Sequence, residues 1–474
     1  MIEYFKQLSK KEIYSFDRFL RSPYFNSNKS LVKLLDYLLM VYPNITEEYI
    51  SKSNLALNVY SAKKINDDKI RKLISDFHLM MEKFLAQTER DSDYVAERIH
   101  LLNSLFKRDL LKRFESNAKE LYKIQSTTFP KESIFYQNQI NLEDVNFRYN
   151  INKYKKEFAE CLQNSSDLID SNFMFLKLHC FREMNLNELG KGKTFTKNFI
   201  NEIKSRIEEN VTEISNKHPN LYIIYLVTMM ENTMDDNYLN ILLKYLDKNG
   251  RKFKKDNLIF YYNYLRNYYV QKINNGEADY REKAFDLIKF MERNDLLLFE
   301  NKISDVDYNN VISIVLPLKE FNWLESFIEK YKLRIDKEYF EDSYNLAKAR
   351  IYYHRKKYNN IFEHLNNVKF KDPYYYMHSK FILGRVYYEM GKFESCKYII
   401  QNLRQYVRMK NVLIPGLIFA IKNFNKYLSD LIKFAEDNTK DIKSETIILK
   451  KSLDNEKGIV PDKIWFYEKI KSLN

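Results

Sequence analysis

Glycine and proline are scarce in this chain, with 8 of each among 474 residues, against ordinary usage of roughly 7% and 5%. Sandwiches, barrels and doubly wound α/β folds place both residues at many tight turns, so the shortage disfavours those architectures. Cysteine is scarcer still. Cys161, Cys180 and Cys396 lie far apart with no CxxC or paired spacing, which implies neither a disulfide framework nor a zinc site and suits a reducing compartment. Long apolar runs are also missing. The longest, Leu221 to Met230, contains Thr228 and stops at Glu231, about half of the roughly 20 residues a membrane span needs. Met1-Ile2-Glu3-Tyr4-Phe5-Lys6 shows no basic stretch leading into an apolar one, so a cytoplasmic location is expected.

Signatures of catalysis are lacking as well. His78, His100, His179, His218, His354, His364 and His378 form no HExxH or HxH arrangement, and core or surface roles are expected of them rather than metal binding. No GxSxG, Walker A or kinase-type loop occurs. Gly190-Lys191-Gly192-Lys193 has no buried strand before it and reads as the end of a helix. The carboxylate pairs Asp67-Asp68 and Asp235-Asp236 precede helices, where capping accounts for them. The expectation is a protein that is not an enzyme and uses no cofactor or metal.

What is present points to long helices with short connections. Hydrophobic residues make up 45% of the chain and aromatic residues 15%, with 38 Tyr and 33 Phe. That supports a continuous core with rings packed between helices. The net charge of +14 is spread over segments of mixed sign. Its densest run, Lys248, Arg251, Lys252, Lys254 and Lys255 around Gly250, reads as a solvated turn.

Ser9 and Glu12 have capping-box spacing, and Ile13, Phe16, Phe19 and Leu20 follow on one helical face until Ser22-Pro23 ends the helix. Leu31, Leu34, Leu35, Leu38 and Leu39 form the next stripe. A third helix opens at Asn66-Asp67-Asp68 and carries Ile70, Leu73, Ile74, Phe77, Met80, Met81, Phe84 and Leu85. Residues 1–90 therefore read as an N-terminal helical module. From 91 to 210 long helices are expected: Tyr94 to Lys107, Leu110 to Ile124, and Glu132 onward. Pro130 and Asn164-Ser165-Ser166-Asp167 mark interruptions.

Residues 211–474 read as a repeat array. Leu383-Gly384, Tyr387, Gly391, Phe393, Cys396, Ile400 and Leu403 recur upstream as Ala349, Tyr352, Tyr358, Ile361, Leu365 and Val368. They recur again as Tyr308, Val311-Ile312, Val315, Phe321, Leu324, Ile328 and Tyr331. This grammar resembles the tetratricopeptide repeat, with Lys380 where that family usually has Trp. The resemblance implies small Gly384 where two helices cross, Tyr387 in the groove between them and Cys396 at a second close contact. More divergent hairpins are expected from the helices at 219–246, 257–273 and 280–292. A helix opening at Pro461 and running to Leu473 is the expected cap of the stack. Phe16-Asp17-Arg18-Phe19-Leu20-Arg21-Ser22-Pro23-Tyr24-Phe25-Asn26 and Asp462-Lys463-Ile464-Trp465 also resemble a group of bacterial helical-repeat proteins found chiefly in Bacteroidota. That resemblance carries over no activity.

The expected fold is thus all-α, an α-α superhelix of stacked hairpins behind an N-terminal helical module. Two functions follow. The first is a protein-binding scaffold whose groove is lined by the first helix of each pair. Residues one and four places beyond the small crossing residue then face the groove: Arg350 and Tyr353, Arg385 and Tyr388. An arginine fork beside a ring suits an acidic or C-terminal peptide. The alternative is a DNA-linked regulator, with a helix-turn-helix-like module in residues 46–88 presenting Arg71, Lys72 and Lys83 to phosphate.

Overall fold

The computed structural model describes residues 2–62, 66–128, 131–153, 156–191, 194–365, 372–409, 415–436, 442–456 and 459–473. Among them every regular element is a helix, apart from an isolated bridge between Phe299 and Lys302. The chain is all-α. It divides into two compact units: Met1–Thr128 with Ile134–Ile169, and Phe129–Ser133 with Asp170–Asn474. The boundary falls inside the Phe158–Lys191 helix, whereas the pattern of long helices with few breakers placed one region across 91–210.

In the first unit the capping box forms as its spacing predicts. The Ser9 N–H donates to Glu12 Oε2 at 2.7 Å, and the Glu12 N–H donates to Ser9 Oγ at 3.2 Å. The helix Lys10–Arg21 then buries Ile13, Phe16, Phe19 and Leu20. Lys29–Val41 buries Leu31, Leu34, Leu35 and Leu38. Asp67–Ser92, capped by Asn66, buries Ile70, Leu73, Phe77, Met80, Met81 and Phe84. These residues make one apolar core, with Phe16 edge-on to Phe77 at 5.6 Å. Leu85, expected on the same stripe, is exposed. Tyr94–Lys107, Leu111–Thr127 and Ser133–Asn152 supply a second, smaller cluster around Leu102, Phe114 and Leu142.

Some expected breaks are absent or displaced. Asn164 to Asp167 lies within the Phe158–Lys191 helix. There Gln163 Nε2 donates to Asp167 Oδ1 at 2.9 Å, one turn on, so that carboxylate does not compete for the helix backbone. That helix includes Gly190 and Lys191, while Gly192, Lys193, Pro130 and Val368 lie outside the described residues. The 219–246 segment is a hairpin of two helices, Pro219–Thr233 and Asp236–Asn249, separated where Met234 adopts φ 54° and Asp235 caps the second.

The second unit is an α-α superhelix of stacked hairpins. Pro219–Thr233 pairs with Asp236–Asn249, Lys255–Asn274 with Tyr280–Arg293, Phe340–His354 with Tyr358–Leu365, and Pro373–Glu389 with Phe393–Met409. Between the second and third of these, Asp305–Val315 packs on Phe321–Tyr331 through Tyr308 stacked on Phe327 at 5.5 Å. Each first helix also touches the first helix before or after it in the stack. Pro219–Thr233 has apolar residues all round because it is enclosed on all sides, and every residue from Pro219 to Met230 is buried.

The small residue at Gly384 does a different job from the one its repeat position implies. A Cβ there would lie 3.1 Å from the Phe424 ring and from Leu428, both on the following Pro415–Glu436 helix. The close crossing is therefore between neighbouring hairpins. Cys396 closes the contact within the hairpin, with its sulfur 3.5 Å from the Gly384 carbonyl oxygen. Tyr387 likewise faces the preceding hairpin, 5.5 Å from Phe362. The terminal helix is Lys463–Ser472 and not one from Pro461, because Asp462 turns at φ 53°. It does pack on the stack's last helices, with Phe466 5.8 Å from both Phe424 and Tyr427.

First helices are also tied by tyrosine hydroxyls. Tyr375, fully buried, donates to Asp305 Oδ2 at 3.0 Å. It accepts from Asn309 Nδ2 at 3.0 Å and meets Ser343 Oγ at 2.6 Å, joining three successive first helices. Tyr308 is equally buried, yet its hydroxyl has no hydrogen-bond partner among the described residues. An unpaired buried hydroxyl costs about 1–3 kcal/mol and a paired one contributes about 1 kcal/mol. Tyr308→Phe is therefore expected to leave stability unchanged or raise it by about 1 kcal/mol. Tyr375→Phe is expected to lower it by about 1–3 kcal/mol. Urea unfolding followed by circular dichroism distinguishes the two; equal losses would contradict the assignment.

Candidate functional site

Consecutive first helices bring the four groove candidates into one neighbourhood. Arg350 and Tyr353 sit on Phe340–His354; Arg385 and Tyr388 sit on Pro373–Glu389. The Arg385 guanidinium lies 4.4 Å from the centroid of the Tyr353 ring, which joins the pairs by a cation–π contact.

Arg385 is already engaged. It is buried, its Nη1 is 3.0 Å from Asp462 Oδ1, and its Nε donates to the Phe381 carbonyl at 3.4 Å. Tyr388 meets the Trp465 ring edge-on at 5.5 Å. The segment leading into the terminal helix thus fills the groove position at this repeat.

Glu389 is the anchor of that docking, and sequence reading did not single it out. It accepts from Tyr353 OH at 3.1 Å, from Trp465 Nε1 at 2.7 Å and from Tyr358 OH, while Lys469 Nζ lies 3.0 Å away. Burial raises its pKa, but the donors Tyr358, Trp465 and Lys469 outweigh burial and bring it down to about 2. A comparable acceptor lies upstream. Asp236, assigned to capping alone, accepts from Tyr268 OH at 2.7 Å and from Tyr280 OH, with Lys272 Nζ at 3.5 Å. Capping of that helix is done by Asp235, whose Oδ1 accepts from the Asn237 N–H at 2.9 Å.

Arg350 occupies the position in its repeat that Arg385 occupies in the next, one residue beyond Ala349 and Gly384. Its partners are neutral: Nη1 donates to Ser313 Oγ at 3.2 Å and Nη2 to Tyr374 OH at 3.5 Å. Among the described residues no carboxylate pairs with it. Ser313 and His354 are exposed, and Arg350, Tyr374 and His378 are half-buried, so solvent reaches this place. Other arginines of the second unit differ. Arg266 pairs with Asp307, and Arg182 has Glu231 at 3.3 Å and the Tyr264 ring at 3.9 Å.

Two histidines flank Arg350. His354 lies one helical turn on, and His378 packs on Tyr374 with ring centroids 4.2 Å apart. Lost hydration and the cations Arg350 and Arg385 hold His378 well below its usual 6.5. Lost hydration, then Arg385, with Arg350 and Lys319 contributing less, lowers His354 despite Asp462 nearby.

The remaining candidates are dispersed. Arg71, Lys72 and Lys83 are exposed on Asp67–Ser92, and Arg71 lies 3.7 Å from Asp68. In the basic run, Lys252 donates to Asn249 Oδ1 at 2.9 Å and Lys255 pairs with Asp295. Among the described residues no three His, Cys, Asp or Glu side chains gather as metal ligands, and no helix is long and apolar enough to cross a membrane. Burial raises the thiol of Cys396 to about 12 and raises that of Cys161. No family model, curated protein or solved structure matches the chain.

These shifts fix the sign of the pH response. Glu389 sits below its unfolded value of 4.5, so its contribution is complete above that pH and is lost toward pH 2. The lowered histidines favour the unfolded state once pH falls below about 6.5. Half-buried Tyr245 and Tyr388, raised to about 12 mainly by desolvation, contribute below pH 10 and lose that contribution as pH climbs toward 12. Thermal unfolding should therefore show a plateau from about pH 7 to 9 with falls on both sides. Glu389→Gln should lower stability at pH 7 by about 3 kcal/mol and flatten the fall between pH 4.5 and 2. An unchanged acid limb would contradict the role given to Glu389.

Proposed function

We propose that this chain is a non-catalytic cytoplasmic scaffold that binds an acidic protein segment on the face formed by consecutive first helices, with Arg350 taking the carboxylate. The comparison of two repeat-equivalent arginines carries the reading. Arg385 holds Asp462 at 3.0 Å, while among the described residues Arg350 meets the hydroxyls of Ser313 and Tyr374 and no carboxylate. A half-buried guanidinium without a counter-charge gains about 1.5–3 kcal/mol from a charge-assisted hydrogen bond. The chain's own segment also displays a matching ligand: Asp462 on the arginine, and Trp465, three residues on, against Tyr388. The free cysteines and the lack of an apolar membrane-length helix among the described residues support a cytoplasmic setting.

A fluorescent peptide containing Asp-x-x-Trp tests this by polarisation against the full chain. Arg350→Glu should weaken binding at least about 30-fold, corresponding to 2 kcal/mol or more for reversing a buried interfacial charge. Arg71→Glu should change nothing. Equal affinity for wild type and Arg350→Glu would sink the groove assignment.

A further inference from the structure

The environment of Arg350 offers more than a carboxylate requires. A carboxylate is satisfied by one guanidinium fork. Here the fork meets the Tyr374 hydroxyl at 3.5 Å, and His354 and His378 lie one turn on from Arg350 and Tyr374 on two adjacent first helices. Arg350 and His354 share a helical face at i and i+4, as do Tyr374 and His378, so the four groups line a single patch. The acidic groups of the adjoining helix are already committed: Glu389 to Tyr353, Tyr358, Trp465 and Lys469, and Asp372 to the backbone N–H of Tyr374. Phe340–His354 contributes Arg350 and Tyr353, Pro373–Glu389 contributes Tyr374 and Arg385, and the turn after Asp305–Val315 contributes Lys319. The terminal segment contributes Asp462, which is committed to Arg385.

We propose that Arg350, His354, Tyr374 and His378 form an oxyanion site that takes the phosphate monoester of a phosphorylated peptide in preference to a carboxylate, with proton uptake by the histidines. The proposal rests on the peptide-scaffold reading of the same face. Phosphate brings close to two negative charges and three acceptor oxygens. The guanidinium can fork to two of these oxygens, leaving one for an imidazole N–H. Neutral histidines held down by lost hydration and then by nearby cations take up protons more readily when a dianion offsets those cations. Binding therefore consumes protons and tightens as pH falls from 8 toward 6.5.

Calorimetric titration of the full chain at pH 7.5, in two buffers of different ionisation enthalpy, tests this. The probes are inorganic phosphate and a short peptide carrying phosphoserine, glutamate or serine at one position. The phosphoserine peptide should bind at least about 10-fold tighter than its glutamate counterpart, with net proton uptake. His354→Asn with His378→Asn should abolish the uptake and bring phosphoserine down to the glutamate level. Arg350→Gln should weaken both peptides, and circular dichroism on each variant confirms that the helices remain. Inorganic phosphate binding with histidine-dependent uptake, but no peptide binding, would support the oxyanion site and sink the scaffold reading. Glutamate binding as tightly as phosphoserine, phosphate binding indifferent to these substitutions, or no phosphate binding in either form would overturn the proposal.

Discussion

Hydroxyls and guanidiniums that cross from one helix of the stack to another and end on a carboxylate set the spacing on which the stack depends. Tyr268 and Tyr280 converge on Asp236, Arg266 reaches Asp307, Tyr375 reaches Asp305, and Tyr353 with Tyr358 reaches Glu389. Apolar contact between helices is tolerant of sliding, because ridges and grooves fit at several registers. A buried hydroxyl is not tolerant, since losing its partner leaves a desolvated polar group. These bonds therefore fix which residues of neighbouring helices stand side by side. A binding face assembled from several helices requires that registration.

The same rule explains why Arg350 stands out. The stack provides carboxylates for Arg182, Arg266 and Arg385 from its own helices or terminal segment. Among the described residues Arg350 bonds to hydroxyls and to no carboxylate, and the two flanking histidines are pushed toward neutrality by lost hydration and then by surrounding cations. Desolvation and like-charge repulsion leave this patch in a state that an anion would relieve. The terminal helix closes the neighbouring repeat. Its Trp465 and Phe466 are buried there, and Trp465 bonds to Glu389.

Much of the architecture was legible in the sequence because helical periodicity and capping are local. The Ser9–Glu12 box, the stripe from Ile70 to Phe84 and the hairpin around Gly391 depend on residues within a few turns of one another. Features set by distant residues were misread. Gly384 is small because Phe424 and Leu428 lie against it, and nothing near Gly384 in sequence signals that helix. Asp236 read as a cap because a carboxylate at a helix start usually is one, while Tyr268 and Tyr280 are a hairpin away. The four groove candidates were placed on one face by the repeat offset alone. That offset carries no information on which of the two arginines the chain itself would neutralise, since Asp462 lies far along the chain.

The most direct measurement is hydrogen–deuterium exchange on the full chain with and without a saturating acidic or phosphorylated peptide. The account predicts added protection concentrated in Phe340–His354 and Pro373–Glu389, with no change in Asp67–Ser92. Protection confined to Asp67–Ser92, or absent from both first helices around Arg350, would contradict it.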